Sequence, residues 1–431
     1  MSQFTGRREL GQRIIQTIDS SRDEIISIAK EILSNPEPLF QERRAHELLT
    51  SYLAGKRFEV TTEVAGIPTT FHARMDHWND EQMRKGLRHG HVAFLADYHA
   101  GTDEGHVYGR HLGTGAALAA TIGLAASFHR MFGTVSLYGA PGTGPNGAMV
   151  AMAERDIFDE PDCVIGARPE STGLGFQSTI ATTDDSYAQQ SLFISYPEGP
   201  DDALDQLERA IQAVIGEQDE GVAVTRFDQG FIVQAPLSKT VEELAKRIQA
   251  LASARASSSG VPVEIRPDAL LPDMQVSRIL ARRMKTFGDS IGLRQDRIHK
   301  MQRADASGLG NISHRVATVQ ARFPVSTEDV RAGTEEFRLA CDTDEAYEQM
   351  ITMAKAMALA GLDVLGDMEF RGFVEGELIR GLKQRGITRE PRRWLGVHPI
   401  MPRKEPKEQP DLPEFIVRGP GIPPPKLDDE S

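Results

Sequence analysis

Cysteine is scarce in this chain, since two occur in 431 residues, which is too few for a disulfide scaffold and typical of a reducing compartment. Basic residues are in deficit, with 49 lysines and arginines against 62 acidic residues and a net charge of −13. That balance argues against a nucleic-acid partner, because binding to phosphates needs a basic surface. No uncharged apolar run reaches ~18 residues, and the first residues lack the apolar centre of a signal peptide. We therefore expect a cytoplasmic protein with neither a nucleic-acid nor a membrane partner.

Histidine, in contrast, is plentiful, with twelve in the chain. Five of them fall between positions 89 and 111, whereas none lies between positions 129 and 299. The length suggests two or three domains at ~150 residues each. The pattern also changes within the histidine-free middle, which predicts a separate domain there.

Hydrophobic periodicity predicts alternating helices and strands in the first part of the chain. Residues 8–54 repeat their isoleucines near the helical period. Compact apolar runs at 91–97, 133–140 and 162–167 are typical of buried strands, and residues 113–131 form a helix of small residues. Alternation of this kind predicts an α/β sandwich with a largely parallel sheet.

The middle segment has another order of elements. Strand-like runs at 191–195, 225–234 and 261–266 enclose helical segments at 201–216 and 239–255. The second run supplies two strands, so the order is β-α-β-β-α-β, which is the ferredoxin-like arrangement.

These patterns predict a discontinuous catalytic-type domain around an inserted one. The last 41 residues hold ten of the 24 prolines, which favours an extended tail. The predicted divisions are 8–184 for the first part of the catalytic-type domain, 185–295 for the insert, 296–386 for the second part and 387–431 for the tail.

Five local motifs, in order along the chain, resemble those of one enzyme family. They are Gly66-Ile67-Pro68-Thr69, Ala96-Asp97-Tyr98 at a strand end, Gly105-His106-x-x-Gly109-x-x-Leu112-x-Gly-Thr, Pro141 followed by glycines, and Gly310-Asn311-Ile312-Ser313-His314. The chain resembles the aminoacylase/carboxypeptidase-type metallo-amidohydrolases (peptidase M20), in the branch of aminobenzoyl-glutamate and auxin-conjugate hydrolases. That resemblance implies an α/β catalytic domain, an inserted ferredoxin-like dimerisation domain and a homodimer.

The resemblance also implies metal ligands at positions where this chain has other residues. Tyr108 and Arg110 stand where the family has a ligand cysteine and a ligand histidine. Arg168 stands where the family strand ends in a ligand histidine, and Gln320 occupies the last ligand position.

The family's catalytic carboxylates are missing as well. Residues 141–145 read Pro-Gly-Thr-Gly-Pro and supply neither the general base nor the ligand that follows it in the family, and His99 stands where the family has an aspartate. Arginine has no lone pair to offer and repels a cation, so these replacements predict that the di-metal centre has been lost. We therefore expect no metal and no other cofactor.

Arg110 and Arg168 are the candidate binding residues for a small anionic metabolite. In the family fold their positions converge on one cleft, where two guanidinium groups suit a carboxylate or phosphate. The other expected binding residues are Asp97, Asn311, His314 and Gln320. The alternative is that each arginine only pairs with a nearby acid, such as Asp97, Asp103 or Glu170, and fills an obsolete cavity.

Acid–base chemistry in this cleft would need a group that titrates near neutral pH, and the candidates are His99, His106 and His111. Tyr108 and Thr143 are candidate hydroxyl donors. The three histidines could instead form a relocated metal site.

Three functions remain open. The first is a metal-independent enzyme acting on a small carboxylated or amide-bearing metabolite. The second is a non-catalytic protein, either alone as a homodimer or as a heterodimer with an active relative. The third is a metal-dependent amidohydrolase with relocated ligands.

Overall fold

A computed structural model describes most of the chain up to residue 390. The described residues are 2–78, 89–101, 105–171, 186–215, 221–291, 305–326, 328 and 330–390. The predicted tail from residue 391 onward and Asp103 lie outside them.

The first half of the described chain alternates helices and strands, as the periodicity predicts. Its elements are α1 (Ser2–Ser20), α2 (Arg22–Ser34), α3 (Arg43–Gly55), β1 (Glu59–Thr62), β2 (Phe71–His77), β3 (His91–Ala96), α4 (Arg110–Ala125), β4 (Gly133–Gly139), α5 (Ala148–Glu154) and β5 (Cys163–Ser171).

The second half contains the predicted β-α-β-β-α-β segment, which is followed by five further helices and one strand. Its elements are β6 (Ala188–Ser195), α6 (Ala203–Ile215), β7 (Ala223–Phe227), β8 (Gly230–Ala235), α7 (Ser238–Ser259), β9 (Glu264–Pro267), α8 (Arg278–Ser290), α9 (Leu309–Ser313), β10 (Ala317–Ser326), α10 (Glu335–Ala340), α11 (Asp344–Gly366) and α12 (Met368–Gln384).

Two sheets organise these elements. The six-stranded sheet has the order β1-β2-β4-β3-β5-β10, in which β4, β3, β5 and β10 run parallel while β1 and β2 join antiparallel at one edge. The four-stranded sheet has the antiparallel order β7-β8-β6-β9, which is the ferredoxin-like order. The α/β fold class with an inserted ferredoxin-like unit is confirmed, although the larger sheet is mixed at its edge.

Helix α4 is the centre of the larger layer. It packs on β3, β4 and β5, and α1, α2 and α11 cover it on the other side. The close fit depends on glycine, because a Cβ at Gly113 would lie 2.4 Å from the carbonyl oxygen of Ala167 on β5. The segment Arg110–His129 is long and apolar enough to cross a membrane by length and composition, but 89% of its most apolar 18-residue stretch is buried inside the fold. It is a core helix.

The smaller sheet has a hydrophobic core of its own. Leu192 and Val233 from the strands pack there with Leu207 of α6 and Ile248 of α7. Met274, Leu280 and Met284, in contrast, belong to the core of the larger layer. The packing therefore places the junction near residue 273, earlier than the predicted end of the insert at residue 295.

Replacing Gly113 by alanine tests the tight contact between α4 and β5. We expect Gly113→Ala to lower the free energy of unfolding by about 1–3 kcal/mol, because the methyl group must displace the β5 backbone. The matched control is Gly372→Ala in α12, where a Cβ meets nothing within 4 Å. That control should raise stability by about 0.5–1 kcal/mol through helix propensity. Urea denaturation of wild type and both variants measures these changes. Equal free energies of unfolding for wild type and Gly113→Ala would contradict the close approach of α4 to β5.

Candidate functional site

A cleft of about 590 Å³ opens beside the strand ends of the larger sheet and is lined mainly by residues of β5 and of the loops around it. Six of the residues predicted for the site line it: Asp97, Tyr108, Arg110, Thr143, Arg168 and Gln320. Two other hollows, between α2 and α3 and between α2 and α11, contain none of the predicted residues. The candidate site is therefore this cleft.

Asp97 directly follows β3 and accepts several hydrogen bonds. The Nδ1 atom of His99 lies 2.6 Å from Oδ1 of Asp97, and Nε of Arg110 lies 3.1 Å from Oδ2. The backbone N–H of Gly142 donates to Oδ1 at 3.1 Å. Burial alone would raise the pKa of Asp97, but the charges of His99 and Arg110 hold it at about 2. Asp97 is thus an ionised anchor for these two residues.

Arg110 is the first residue of α4, and the backbone before it explains its position. Gly109 has a φ of 63°, and a Cβ there would lie 2.6 Å from Sγ of Cys341 and from Pro169. Only glycine permits this turn, which brings Arg110 to the cleft. The guanidinium carbon of Arg110 lies 4.7 Å from the ring centre of Tyr108, whose side chain is half-exposed. Among the described residues, Nη1 of Arg110 is buried without a hydrogen-bond partner.

Arg168 lies on β5 and has a different environment. Its Nη2 atom donates to Oε2 of Glu170 at 2.9 Å, and Nη1 of Arg322 lies 3.8 Å from the same oxygen. The side chain of Arg168 is 44% exposed, whereas Glu170 is buried. Arg322 is opposite Arg168 in the register of β5 and β10. Both candidate arginines therefore pair with an acid, as the alternative supposed, and both still line an open cleft.

Thr143 and Gln320 also line the cleft. Thr143 lies in the loop after β4, and its carbonyl oxygen accepts the N–H of Gly308 at 2.7 Å. Gln320 is opposite Gly166, and the absence of a side chain there leaves space above β5.

The structure corrects the expectation that His106 and His111 share the cleft. Both are buried behind it, with their ring centres 5.8 Å apart. Burial lowers the pKa of His106 to about 4, together with the charge of Arg110, and burial lowers that of His111 to about 3, together with His106. Both imidazoles are therefore neutral near pH 7, and neither lines the cleft. His99 contacts Asp97 without being part of the lining.

Asn311 and His314 are not among the residues that line the cleft, and their predicted contact with the ligand stays a prediction. The side chain of Asn311 donates to the carbonyl oxygen of Leu270 at 3.4 Å, and Nε2 of His314 lies 2.9 Å from the carbonyl oxygen of Asp273. Residues 270–273 connect the smaller sheet back to the larger one. Asn311 and His314 therefore fix this connection.

Arg331 is the residue that the sequence did not reveal. It lines the same cleft from the loop between β10 and α10. No motif or periodicity marks a loop arginine, so only the folded chain brings it to Arg110 and Arg168.

The side chains present do not fit the pair of metal ions that the family resemblance implies. Metal centres of that kind need imidazole, thiolate or carboxylate donors. No histidine or cysteine is among the described residues that line the cleft, and its carboxylates are Asp97, Glu170 and Asp305. Asp97 and Glu170 already accept hydrogen bonds from arginine.

Comparison with known proteins agrees with this fold. The chain is 24% identical over 389 residues to the Xaa-Arg dipeptidase of Mus musculus, covering 83% of this chain and 89% of that protein. It is 23% identical over 327 residues to one of the subunits of p-aminobenzoyl-glutamate hydrolase from Escherichia coli (strain K12), covering 65% of this chain and 66% of that protein. A dinuclear metal-binding peptidase of the M20 family from Bacillus subtilis superposes with a TM-score of 0.57 at 14% identity, over 81% of this chain and 99% of that one. No family model matches the chain.

The two-sheet architecture and these relatives define an amidohydrolase-type fold. More particularly, the resemblance to the M20 amidohydrolases, in the branch with aminobenzoyl-glutamate hydrolases, is confirmed.

The buried histidines predict a loss of stability in mild acid. The unfolded chain binds a proton at His106 below pH ~6.5, whereas the folded chain does so only near pH 4, so acid favours unfolding in that interval. We expect His106→Leu to reduce the stability lost between pH 6.5 and pH 5 by about 1.5 kcal/mol. Urea denaturation at both pH values measures this. Burial raises the pKa of Glu42 to about 8, so Glu42 makes stability change with pH in the opposite direction. Because Glu42 is present in both proteins, the difference between wild type and His106→Leu isolates the effect of His106. If the stability of wild type and of His106→Leu changed equally with pH, His106 would take up a proton as readily in the folded chain as in the unfolded one.

Proposed function

We propose that the protein binds a small, amide-bearing carboxylate in this cleft and does so through arginine charge instead of metal ions. The observation that carries the proposal is that Arg110, Arg168 and Arg331 line one cleft in a chain of net charge −13. Clustered cations in an acidic protein are costly unless they bind acids, and a ligand carboxylate is the acid that a cleft accommodates.

Arg168 is the strongest candidate for the direct contact. A guanidinium group has five N–H donors, and one of those on Arg168 is used by Glu170. The exposed remainder faces a cleft wide enough for an amino-acid derivative. Pairing with Glu170 holds the guanidinium in place, so less side-chain entropy is lost when a ligand binds.

The acids of the site do not cancel its positive charge. Glu170 lies between Arg168 and Arg322, and Asp97 lies between Arg110 and His99. Asp305 is the third carboxylate of the lining, and Arg331 is the fourth arginine of this group. Among the described residues this group comprises four arginines and three carboxylates, so its net charge is positive and favours a ligand carboxylate.

The names of the relatives support the amide part of the proposal. One is called an Xaa-Arg dipeptidase and another a p-aminobenzoyl-glutamate hydrolase, and both names describe an amide bond to an amino acid. An N-acyl amino acid contains that bond together with the carboxylate that Arg168 would bind.

Hydrolysis of the bound amide without metal is the second candidate function. The observation that favours it is the 2.6 Å hydrogen bond that holds the imidazole of His99 against Asp97, which itself lines the cleft. Binding without turnover, by this chain alone or beside an active relative, is the outcome expected if His99 only supports Asp97. Homodimer formation and a cytoplasmic location stay predictions.

Substitution of Arg168 tests the carboxylate contact. Wild type should bind Nα-acetyl-L-glutamine more tightly than its C-terminal amide, and Arg168→Gln should weaken binding of the acid about tenfold, since a charge-assisted hydrogen bond is lost. The matched control is Arg130→Gln, because Arg130 lies beyond the other end of α4 in a surface ion pair with Glu9. Isothermal titration calorimetry measures all three proteins. Equal affinity of wild type for acid and amide would refute the proposal.

Chelation tests independence from metal. Dialysis of the purified protein against EDTA should leave the dissociation constant for Nα-acetyl-L-glutamine within twofold, because no step of binding uses a metal ion. Elemental analysis and mass spectrometry of the incubated ligand complete the experiment. A stoichiometric transition metal whose removal abolishes binding would support relocated ligands, and free glutamine formed after chelation would support metal-independent hydrolysis.

A further inference from the structure

The connection between α2 and α3 (residues 35–42) packs against the loop that follows β4. Leu39 lies so close to Gly142 that a Cβ on this glycine would be 2.7 Å from Cδ1 of Leu39. Gly142 adopts a φ of 94° and donates its backbone N–H to Oδ1 of Asp97 at 3.1 Å. The α2–α3 connection therefore contacts the residue that supplies a hydrogen bond to the anchor of the cleft.

A fully buried carboxyl group, that of Glu42, holds the α2–α3 connection in shape. Phe40 has a φ of 65°, which is unfavourable for a residue with a bulky side chain. The backbone N–H of Phe40 donates to Oε1 of Glu42 at 2.8 Å and so stabilises this strained residue. Nearer to α2, the carbonyl oxygen of Glu37 accepts the N–H of Ala100 at 2.8 Å. The connection is thus fixed on both sides of the segment that packs on the cleft loop.

The surroundings of Glu42 favour its uncharged form. Its Oε2 atom is buried without a hydrogen-bond partner among the described residues. Burial raises the pKa of Glu42 to about 8, with a smaller contribution from the charge of Asp97. The hydroxyl group of Thr69 and the N–H of Phe40 act in the opposite direction without cancelling the effect of burial. The other titratable group near Glu42 is Tyr98, whose pKa is raised by burial and by the charge of Glu42. Glu42 is therefore a carboxylic acid at pH 7.

We propose that Glu42 is a positioning residue of the cleft: its buried carboxylic acid holds the α2–α3 connection on Gly142, which keeps Asp97 in the place where it anchors the site. The inference rests on the proposed function, because the ligand is the one that the cleft binds. Glu42 itself touches no ligand. An ionised Glu42 repels Asp97 and requires hydration, which displaces the connection from Gly142. It also reduces the positive charge that attracts a carboxylate to the cleft.

The pH dependence of stability tests whether Glu42 holds a proton in the full-length protein. The folded chain keeps this proton up to about pH 8, whereas the unfolded chain releases it near pH 4.5, so stability falls as the pH rises between these values. From pH 6 to pH 8 the unfolding equilibrium constant of wild type should rise about fiftyfold more than that of Glu42→Gln. The matched control, Glu47→Gln, changes an exposed acid on α3 and should behave as wild type. Urea denaturation measures all three proteins.

Ligand binding shows whether this proton matters to the cleft. In isothermal titration calorimetry with Nα-acetyl-L-glutamine, wild type should have a dissociation constant about fivefold higher at pH 9 than at pH 7. Glu42 is ionised at the higher pH, whereas the ligand carboxylate is ionised at both. The dissociation constant of Glu42→Gln should stay within twofold. Leu39→Ala keeps the carboxyl group but removes the contact with Gly142, so it should weaken binding about threefold at pH 7 and leave the pH dependence of stability unchanged.

The two measurements separate this inference from the proposed function. Equal pH dependence of stability in wild type and Glu42→Gln would overturn the inference without reference to any ligand. Wild-type binding that is as tight at pH 9 as at pH 7, or that weakens equally in Glu42→Gln, would overturn the positioning role while the proposed function stands. Unchanged binding by Leu39→Ala would overturn the route through Gly142. If wild type does not bind the ligand at pH 7, the proposed function fails and the positioning role fails with it, while the denaturation data still decide whether Glu42 holds a proton. Circular dichroism verifies that the variants are folded.

Discussion

The close packing of α4 on β5 is the constraint on which the cleft depends. Gly113 lets the helix approach the strand until a Cβ would touch the carbonyl oxygen of Ala167, and Arg168 follows that residue directly. The same approach places Arg110, one turn earlier, at the edge of the sheet where Asp97 follows β3. Two arginines far apart in sequence therefore come to one cleft, because the helix that begins with Arg110 has no side chain at Gly113, where it meets β5.

Much of the fold could be predicted because its signals are periodic. The β-α-β-β-α-β segment has clear apolar patterns, and the structure confirms it. Strand β2 (Phe71–His77) was not predicted, since it is half-exposed near the edge of the sheet and carries His, Arg and Asp. Helix α5 has only seven residues, which is too short for a helical period to stand out.

The place of the cleft in the fold could be predicted from the sequence, but the direction in which individual side chains point could not. Asp97 and Arg168 could be placed near one edge of the sheet because they stand at the ends of the apolar runs at 91–97 and 162–167, and the ends of parallel strands meet at one edge. His111 was misplaced although it directly follows Arg110, because neighbouring residues of a helix point about 100° apart and only one of the two faces the cleft. Arg331 required the tertiary structure, since its loop owes its position to Ser171 and Val107 rather than to any local pattern.

The pairing of β5 with β10 has a consequence for how the chain folds. Arg168 and Arg322 are opposite each other in this register, although the whole second sheet lies between them in sequence. Such non-local strand pairs form slowly, because a long loop must close before any contact offsets its entropy. The inserted unit has its own core and can collapse first, which brings the ends of that loop together. The charged groups of the cleft would then meet late in folding, so a mutation that destabilises the insert should slow assembly of the cleft even when it touches no residue there.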